Sequence, residues 1–174
     1  MRLTTGFGGS KRLRWFGWLC LCVLLTLSAC ATVLTPMYGV REGRLVPCPA
    51  HRDCLSSEDT TPALYIAPLV YTSNRQQARN DLLIAINAVG HGRIVSNHRN
   101  YLRVAYSITD SADRASQYFY QPEDAVDDVE FYMVPGGHSI EMRSIARLGL
   151  FDVGANRERL EKIRAAFAEL QQYH

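Results

Sequence analysis

No apolar stretch in this 174-residue chain is long enough to span a bilayer, which takes roughly 18 to 20 residues. The nearest approach, Trp15 to Leu27, has thirteen, so a permanent transmembrane helix is not expected. G-x-S-x-G, H-E-x-x-H, the phosphate loop and the dinucleotide fingerprint are also missing. A sequence-led reading therefore loses the standard serine hydrolases, zinc proteases and nucleotide-dependent enzymes. Cys-x-x-Cys does not occur, which removes the thioredoxin type of redox site. Internal repeats and low-complexity segments are absent as well, so the chain reads as one globular domain with an appendage.

The appendage is residues 1–29. Arg2, Lys11, Arg12 and Arg14 make a basic start, Trp15 to Leu27 is apolar, and Leu27-Ser28-Ala29-Cys30 follows. That order of parts is an export signal, and its last four residues look like a bacterial lipobox, whose cysteine is lipidated and becomes the first residue of the mature chain. Two other readings stand beside it: Ala29-Cys30-Ala31 would also serve an ordinary signal peptidase, and an uncleaved anchor would run on to Leu34. Two or more acyl chains on Cys30, at about 0.8 kcal/mol per buried CH₂, would hold the protein firmly on a membrane. Ala31 and Thr32 lack the aspartate that commonly retains lipoproteins in the inner membrane, which favours a periplasm-facing place on the outer membrane. Removing the signal also takes away four basic residues and no acidic ones. The formal 19 basic against 17 acidic residues becomes fifteen against seventeen, and no charge argument for nucleic acid survives.

Cys20 and Cys22 leave with the signal and Cys30 carries lipid, so Cys48 and Cys54 remain. In an exported protein two nearby cysteines most simply form a disulfide, and closing so small a loop stabilises by about 2 kcal/mol. Cys48, His51 and Cys54 are evenly spaced enough to suggest metal, but a closed structural zinc site wants four ligands and no fourth is evident. No cofactor or metal is expected. Residues 30–61 read as a tether followed by this disulfide-pinned loop, and residues 62–174 as the folded domain.

Within the domain, Ala63 to Ile66 is a strand candidate between Pro62 and Pro68. Ser73 or Asn74 caps a helix running to about Ala88, with Gly90 past its end and Ala78, Leu82, Ala85, Ile86 and Val89 on one face. Gly92 to Ser96 and Tyr101 to Ile108 follow as strands. In the second of these Leu102, Val104, Tyr106 and Ile108 alternate with a mixed face, the pattern of a sheet covered on one side. Residues 109–125 form a long loop carrying Tyr118-Phe119-Tyr120, aromatics that either fold onto the sheet edge or form a lip over a ligand cavity.

Val129, Phe131 and Met133 then alternate with Asp128, Glu130 and Tyr132, and Gly136-Gly137 marks a hairpin turn. Counting outward pairs Met133 with Ile140, Phe131 with Met142 and Glu130 with Arg143, which sets apolar on apolar and acid on base. Pro135 cannot donate a closing hydrogen bond, so a four-residue loop with the same register is an equal alternative. A last helix runs from a cap at Asn156 to about Tyr173, with Leu160, Ile163, Phe167 and Leu170 as its buried stripe. The predicted fold class is α+β: one antiparallel sheet, in the order strand, helix, four strands, helix, with two helices packed on one face.

The candidate polar cluster is Asp127, Asp128, Glu130, Arg143, Arg147, Asp152, Asn156 and Arg157. Paired carboxylates can do acid–base work, and arginines on neighbouring elements can clamp a carboxylate or phosphate. Opposed acids and arginines also satisfy one another as scaffold, and four acids against three arginines leave little charge to recruit a ligand. The scaffold reading leads, with Arg143, Arg147 and Asp152 as the residues to watch if a ligand site exists.

Three stretches, PCPAHRDCLSS from Pro47, VDDVEF from Val126 and RSIARLGLFDVGANRERLEKIR from Arg143, resemble in order the bacterial family catalogued as domain of unknown function 1499. The resemblance implies no established activity to carry over. Where the family usually has a second serine this chain has Ala146, which leaves Ser144 alone, and its 109–125 connection is longer than usual. The functional expectation is a lipid-anchored envelope protein acting as a non-enzymatic binding or structural module. Its partners would be the membrane through Cys30 and a protein or a small molecule. The alternative is an envelope hydrolase working through Asp127, Asp128 or Glu130.

Overall fold

A computed structural model describes residues 37–49, 53–107, 126–147 and 154–173. The expectations for Cys30, His51, the 109–125 loop and Asp152 fall outside these residues. The described elements in chain order are β1 (Val40–Arg41), β2 (Arg44–Leu45), β3 (Cys54–Ser56), β4 (Leu69–Val70), α1 (Arg75–Val89), β5 (Gly92–Asn97), β6 (Tyr101–Ser107), β7 (Val126–Met133), β8 (Ser139–Ala146) and α2 (Ala155–Gln171).

The protein is α+β. A six-stranded antiparallel sheet runs β3-β8-β7-β6-β5, and β4 pairs with β8 further along the edge that β3 also occupies. A separate two-stranded hairpin, β1–β2, makes a second sheet, so the expected single sheet is approximate. The β7–β8 register pairs Met133 with Ile140, Phe131 with Met142 and Glu130 with Arg143, as the sequence count requires. Its connection is the four-residue form: the Gly137 amide donates to the Val134 carbonyl and the Val134 amide to the Ser139 carbonyl. Pro135 and Gly136, the latter at φ 73°, then occupy the central positions of a proline–glycine turn.

Period two sends Leu102, Val104, Val129, Phe131, Met133, Ile140 and Met142 to one face of the sheet, all nearly or fully buried. The same cluster takes Ala78, Leu82, Ala85 and Ile86 from α1 and Leu160, Ile163 and Phe167 from α2. Each large side chain buried there contributes about 1.5–3 kcal/mol before entropy is counted. Asn74 caps α1, its side chain accepting from the Gln77 amide at 3.0 Å. Asp81, buried on α1, accepts from Gln171 of α2 and from Gln77, tying the two helices over the sheet.

Gly92 sits at a close approach. A Cβ there would stand 2.8 Å from Val104 Cγ1 and 2.9 Å from the Tyr106 ring, and both neighbours are buried, so one of the three must shift. Gly92→Ala is expected to cost about 1–3 kcal/mol, the usual price of overpacking. Urea unfolding measures it, and an unchanged midpoint would contradict the contact.

Three sequence expectations are corrected. Ala63 to Ile66 is not a strand: the chain turns at residues 62–64, with the Leu64 and Tyr65 amides both donating to the Thr61 carbonyl. Only Tyr65 makes an isolated bridge, to Ser56, and the strand proper begins just after Pro68. Residues 40–45 and 54–56, inside the stretch read as tether and loop, form β1, β2 and the sheet strand β3. Their hairpin turns at Glu42 (φ 52°) and Gly43 (φ 76°), two positive angles in the mirror-image turn that suits strand twist. Finally, Asn156 is not the cap of the last helix. Gly154, at φ 86°, occupies that position without a side-chain bond, and its carbonyl accepts from the Glu158 amide.

Candidate functional site

The same alternation that builds the core splits the nominated cluster in two. Asp127 and Asp128 are adjacent in sequence and therefore lie on opposite faces of β7. Asp127 falls on the helix side, opposite Tyr106 in the β6–β7 ladder. Its Oδ2 accepts from Arg159 of α2 at 2.8 Å. The same guanidinium lies 4.7 Å from the centre of the Tyr106 ring. Arg159 also donates at 3.0 Å to Asn156 Oδ1, which accepts a second bond from the Ser144 hydroxyl at 2.5 Å. Asn156 thus joins the first turn of α2 to β8 from within the interior, where it is 1 % exposed.

The opposite face carries Asp128, Glu130 and Arg143, none with any solvent exposure. Arg143 faces Glu130 directly across the β7–β8 ladder and binds its Oε2 through Nη1. Glu130 Oε1 accepts from the Tyr101 hydroxyl at 2.7 Å and from the Gly39 amide at 2.6 Å. Asp128 receives both Nε and Nη2 of Arg147, at 2.6 and 3.1 Å, the paired geometry a guanidinium makes best. Arg103 approaches Asp128 at 3.6 Å while lying 4.4 Å from the centre of the Tyr38 ring.

This face is covered, contrary to the expectation of a sheet open on one side. Residues 37–45 cross it as a strap. The Met37 carbonyl accepts from Arg143 at 3.2 Å, Gly39 donates to Glu130, and Tyr38 stacks with Arg103. Leu45 is buried, its amide held at 2.6 Å by Glu58. A disulfide between Cys48 and Cys54 joins the far end of the strap to β3. With both thiols so engaged, the Cys48–His51–Cys54 metal reading loses two ligands, and no group of three or more metal-competent side chains occurs among the described residues.

Burial acts on the tyrosines of these clusters. It pushes the Tyr106 phenol up to about 12, although Arg159 pulls the other way. Tyr101 is raised further, by burial first and then by the charge of Glu130 and the hydrogen bond to it. Tyr38 is raised by burial and by Asp128. Arg147 is held above its usual range by its hydrogen bonds to Asp128.

Of the sequence-nominated residues, Glu130, Arg143, Asp128 and Arg147 come together on the strap face. Asp127 and Asn156 come together under α2. Arg157 joins neither group: it donates from α2 to the Ala63 and Tyr65 carbonyls and pins that turn. Arg159, Tyr101, Arg103, Tyr38 and Gly39 belong to the clusters but carry no motif. The signals that would have found them were local: Arg159 lies one turn after Asn156, and Arg103 faces Glu130 once β6 is paired with β7. For the hydrolase alternative, the carboxylates needed open space between them. Each instead has a guanidinium partner, and one is separated from the other two by the thickness of the sheet.

No curated protein and no solved structure matches the chain. The family described as "Protein of unknown function (DUF1499)" matches residues 44–167, a span that takes in β2 through most of α2 and every residue of both ionic clusters except Met37, Tyr38 and Gly39 of the strap. On that match the chain belongs to the DUF1499 family.

Proposed function

We propose that this is a lipid-anchored protein of the cell envelope, held by acyl chains on Cys30 and facing the periplasm from the outer membrane, whose folded domain is a non-catalytic binding or structural module. The anchoring part rests on the basic start, the apolar run and Leu27-Ser28-Ala29-Cys30. The observation that supports the non-catalytic part is that Asp127, Asp128 and Glu130 are each fully buried and bound to an arginine. Acid–base catalysis needs a carboxyl group within reach of a substrate proton, and these three are committed to holding the sheet, strap and α2 in register.

Cys30→Ser tests the anchor. With an alkyne-tagged fatty acid in the growth medium, the wild-type protein is expected to become labelled and to fractionate with outer membranes. The variant is expected to lose the label and leave the membrane fraction. Equal labelling of both proteins would overturn the reading of Cys30, and sedimentation with inner membranes would overturn the placement.

A further inference from the structure

The β5–β6 hairpin carries charge of one sign. Residues 92–107 hold Arg93, His98, Arg99 and Arg103 and no aspartate or glutamate. Arg93 and Arg99 are exposed, and neither makes an ion pair among the described residues. Arg103 is only lightly engaged. Its Nη1 stands 3.6 Å from Asp128 Oδ1, beyond hydrogen-bonding distance, and Tyr38 supports one face of its guanidinium. Asp128 does not depend on it: both carboxylate oxygens are taken by Arg147, and the Tyr38 hydroxyl donates to Asp128 as well. On this face Arg103, Arg143 and Arg147 meet two carboxylates, Asp128 and Glu130. One positive charge is left over, and Arg103 is the member of the three without a hydrogen bond among the described residues.

The face opens at Arg103. Tyr38, Gly39, Ser96, Tyr101 and Arg103 itself line a groove of 220 Å³ between the strap and the β5–β6 edge, and a Cβ built on Gly39 would meet nothing within 4 Å. None of the five is acidic, and the acids Glu42, Glu58 and Asp59 line a different cavity, beside β3. The Tyr38 and Tyr101 hydroxyls turn inward to Asp128 and Glu130. The polar side-chain groups left to the groove are the Arg103 guanidinium and the Ser96 hydroxyl, which stand opposite one another in the β5–β6 ladder. Arg93 lies opposite Ala105, so it shares this face and is the diagonal neighbour of Arg103, at a Cβ separation of about 7–8 Å that arginine side chains bridge easily.

We propose that Arg103, Ser96 and Arg93 form a site for a phosphate group in the open groove between Tyr38 and the β5–β6 hairpin. This deepens the binding-module reading and rests on it, while remaining independent of acylation at Cys30. Phosphate presents several acceptor oxygens in a tetrahedral array, which two guanidinium groups from adjacent strands and a hydroxyl can share, whereas a carboxylate is satisfied by a single guanidinium edge. The phosphate is carried either by a soluble anion or by a lipid headgroup, and the two sources separate in the test.

The test is a titration of the full chain, purified in neutral detergent, with inorganic phosphate against sodium chloride of matched ionic strength. The Arg103 Nε–Hε resonance and equilibrium dialysis of radiolabelled phosphate are the readouts. Phosphate is expected to shift the resonance saturably, with chloride inert. Arg103→Gln is expected to weaken phosphate binding roughly tenfold or more and Arg93→Gln by less. Lys162→Gln, which removes an exposed cation from α2, is expected to leave it unchanged. If Arg103→Gln does not fold, Arg93→Gln and the wild-type resonance decide. An Arg103 resonance unmoved by phosphate overturns the site. So does a chloride response equal to that of phosphate, or a loss in Lys162→Gln as large as in Arg103→Gln, since either reduces the effect to general charge attraction. The same protein in nanodiscs of phosphatidylcholine, with and without phosphatidylglycerol, identifies the source. A shift in phosphatidylglycerol without added phosphate supports the site and assigns it to a lipid headgroup, and a shift only on adding phosphate supports it and assigns it to a soluble anion. Failure of the site leaves the non-catalytic reading on its buried carboxylates and the anchor on the labelling of Cys30.

Discussion

Glu130→Ala is expected to lower the free energy of unfolding by about 3–5 kcal/mol, the range for stripping one partner from a buried ion pair. The size follows from what Glu130 holds. Its carboxylate is the shared acceptor for Arg143, the Tyr101 hydroxyl and the Gly39 amide, so its loss strands a fully buried guanidinium and releases the strap at one point. The pair itself is a different matter. Replacing both residues, as Glu130→Leu with Arg143→Met, removes the charges together with their desolvation cost, and is expected to recover most of the loss. Urea unfolding of the two single variants and the double variant forms a cycle. A Glu130→Ala cost below about 1 kcal/mol would mean that the pair is solvated and the strap does not seal it.

Alkaline pH is expected to unfold the protein steeply, beginning above pH 10. The unfolded phenol has its ordinary value of 10.0, whereas burial pushes that of Tyr106 up to about 12. Below pH 10 both states hold the proton and the contribution to stability is fully present. Between the two values the unfolded state gives up its proton and the folded state keeps it, so stability falls as pH rises through 12. Two units correspond to about 3 kcal/mol for Tyr106 alone. Tyr101 and Tyr38 are raised as well and act in the same direction, so the measured slope should exceed that of a single group. Melting temperature against pH, with phenolate absorbance followed in parallel, checks this. Tyrosines that all titrate near 10 in the folded protein would contradict it.

What the sequence reveals and what it hides divide along a physical line. The β7–β8 register is legible because a two-residue period gives two independent checks, apolar pairs and an acid–base pair. The stripes of α1 and α2 and the cap at Asn74 are legible because periodicity and capping are local. The strap is not. Asp128, Glu130 and Tyr132 alternate with apolar residues just as a solvent-facing strand would, and nothing nearby says that residues about ninety positions earlier lie over them. The hairpin that delivers the strap turns at Glu42-Gly43, and glutamate is a poor marker for a positive φ angle, where asparagine or aspartate would have been noticed.

Asn156 shows the converse failure. Asparagine two residues after glycine at a helix start is a reasonable cap by residue type, but Gly154 turns the chain so that Asn156 points inward to Ser144 and Arg159. The grouping of Asp127 with Asp128 fails for a simpler reason. Neighbours in a strand face opposite ways, so a doublet of carboxylates there forms two separate ionic contacts and not a catalytic pair.

The central claim is that residues 37–45 seal a paired ionic layer on the sheet face away from the helices. The Gly39 amide reports on it directly, because its acceptor is the buried Glu130 carboxylate at 2.6 Å. Amide hydrogen exchange of the native protein is predicted to show Gly39 protected to a degree comparable with the β7–β8 ladder. Exchange of Gly39 at the rate of an exposed loop, with β7 and β8 still protected, would show that the strap does not cover the sheet and would contradict the account.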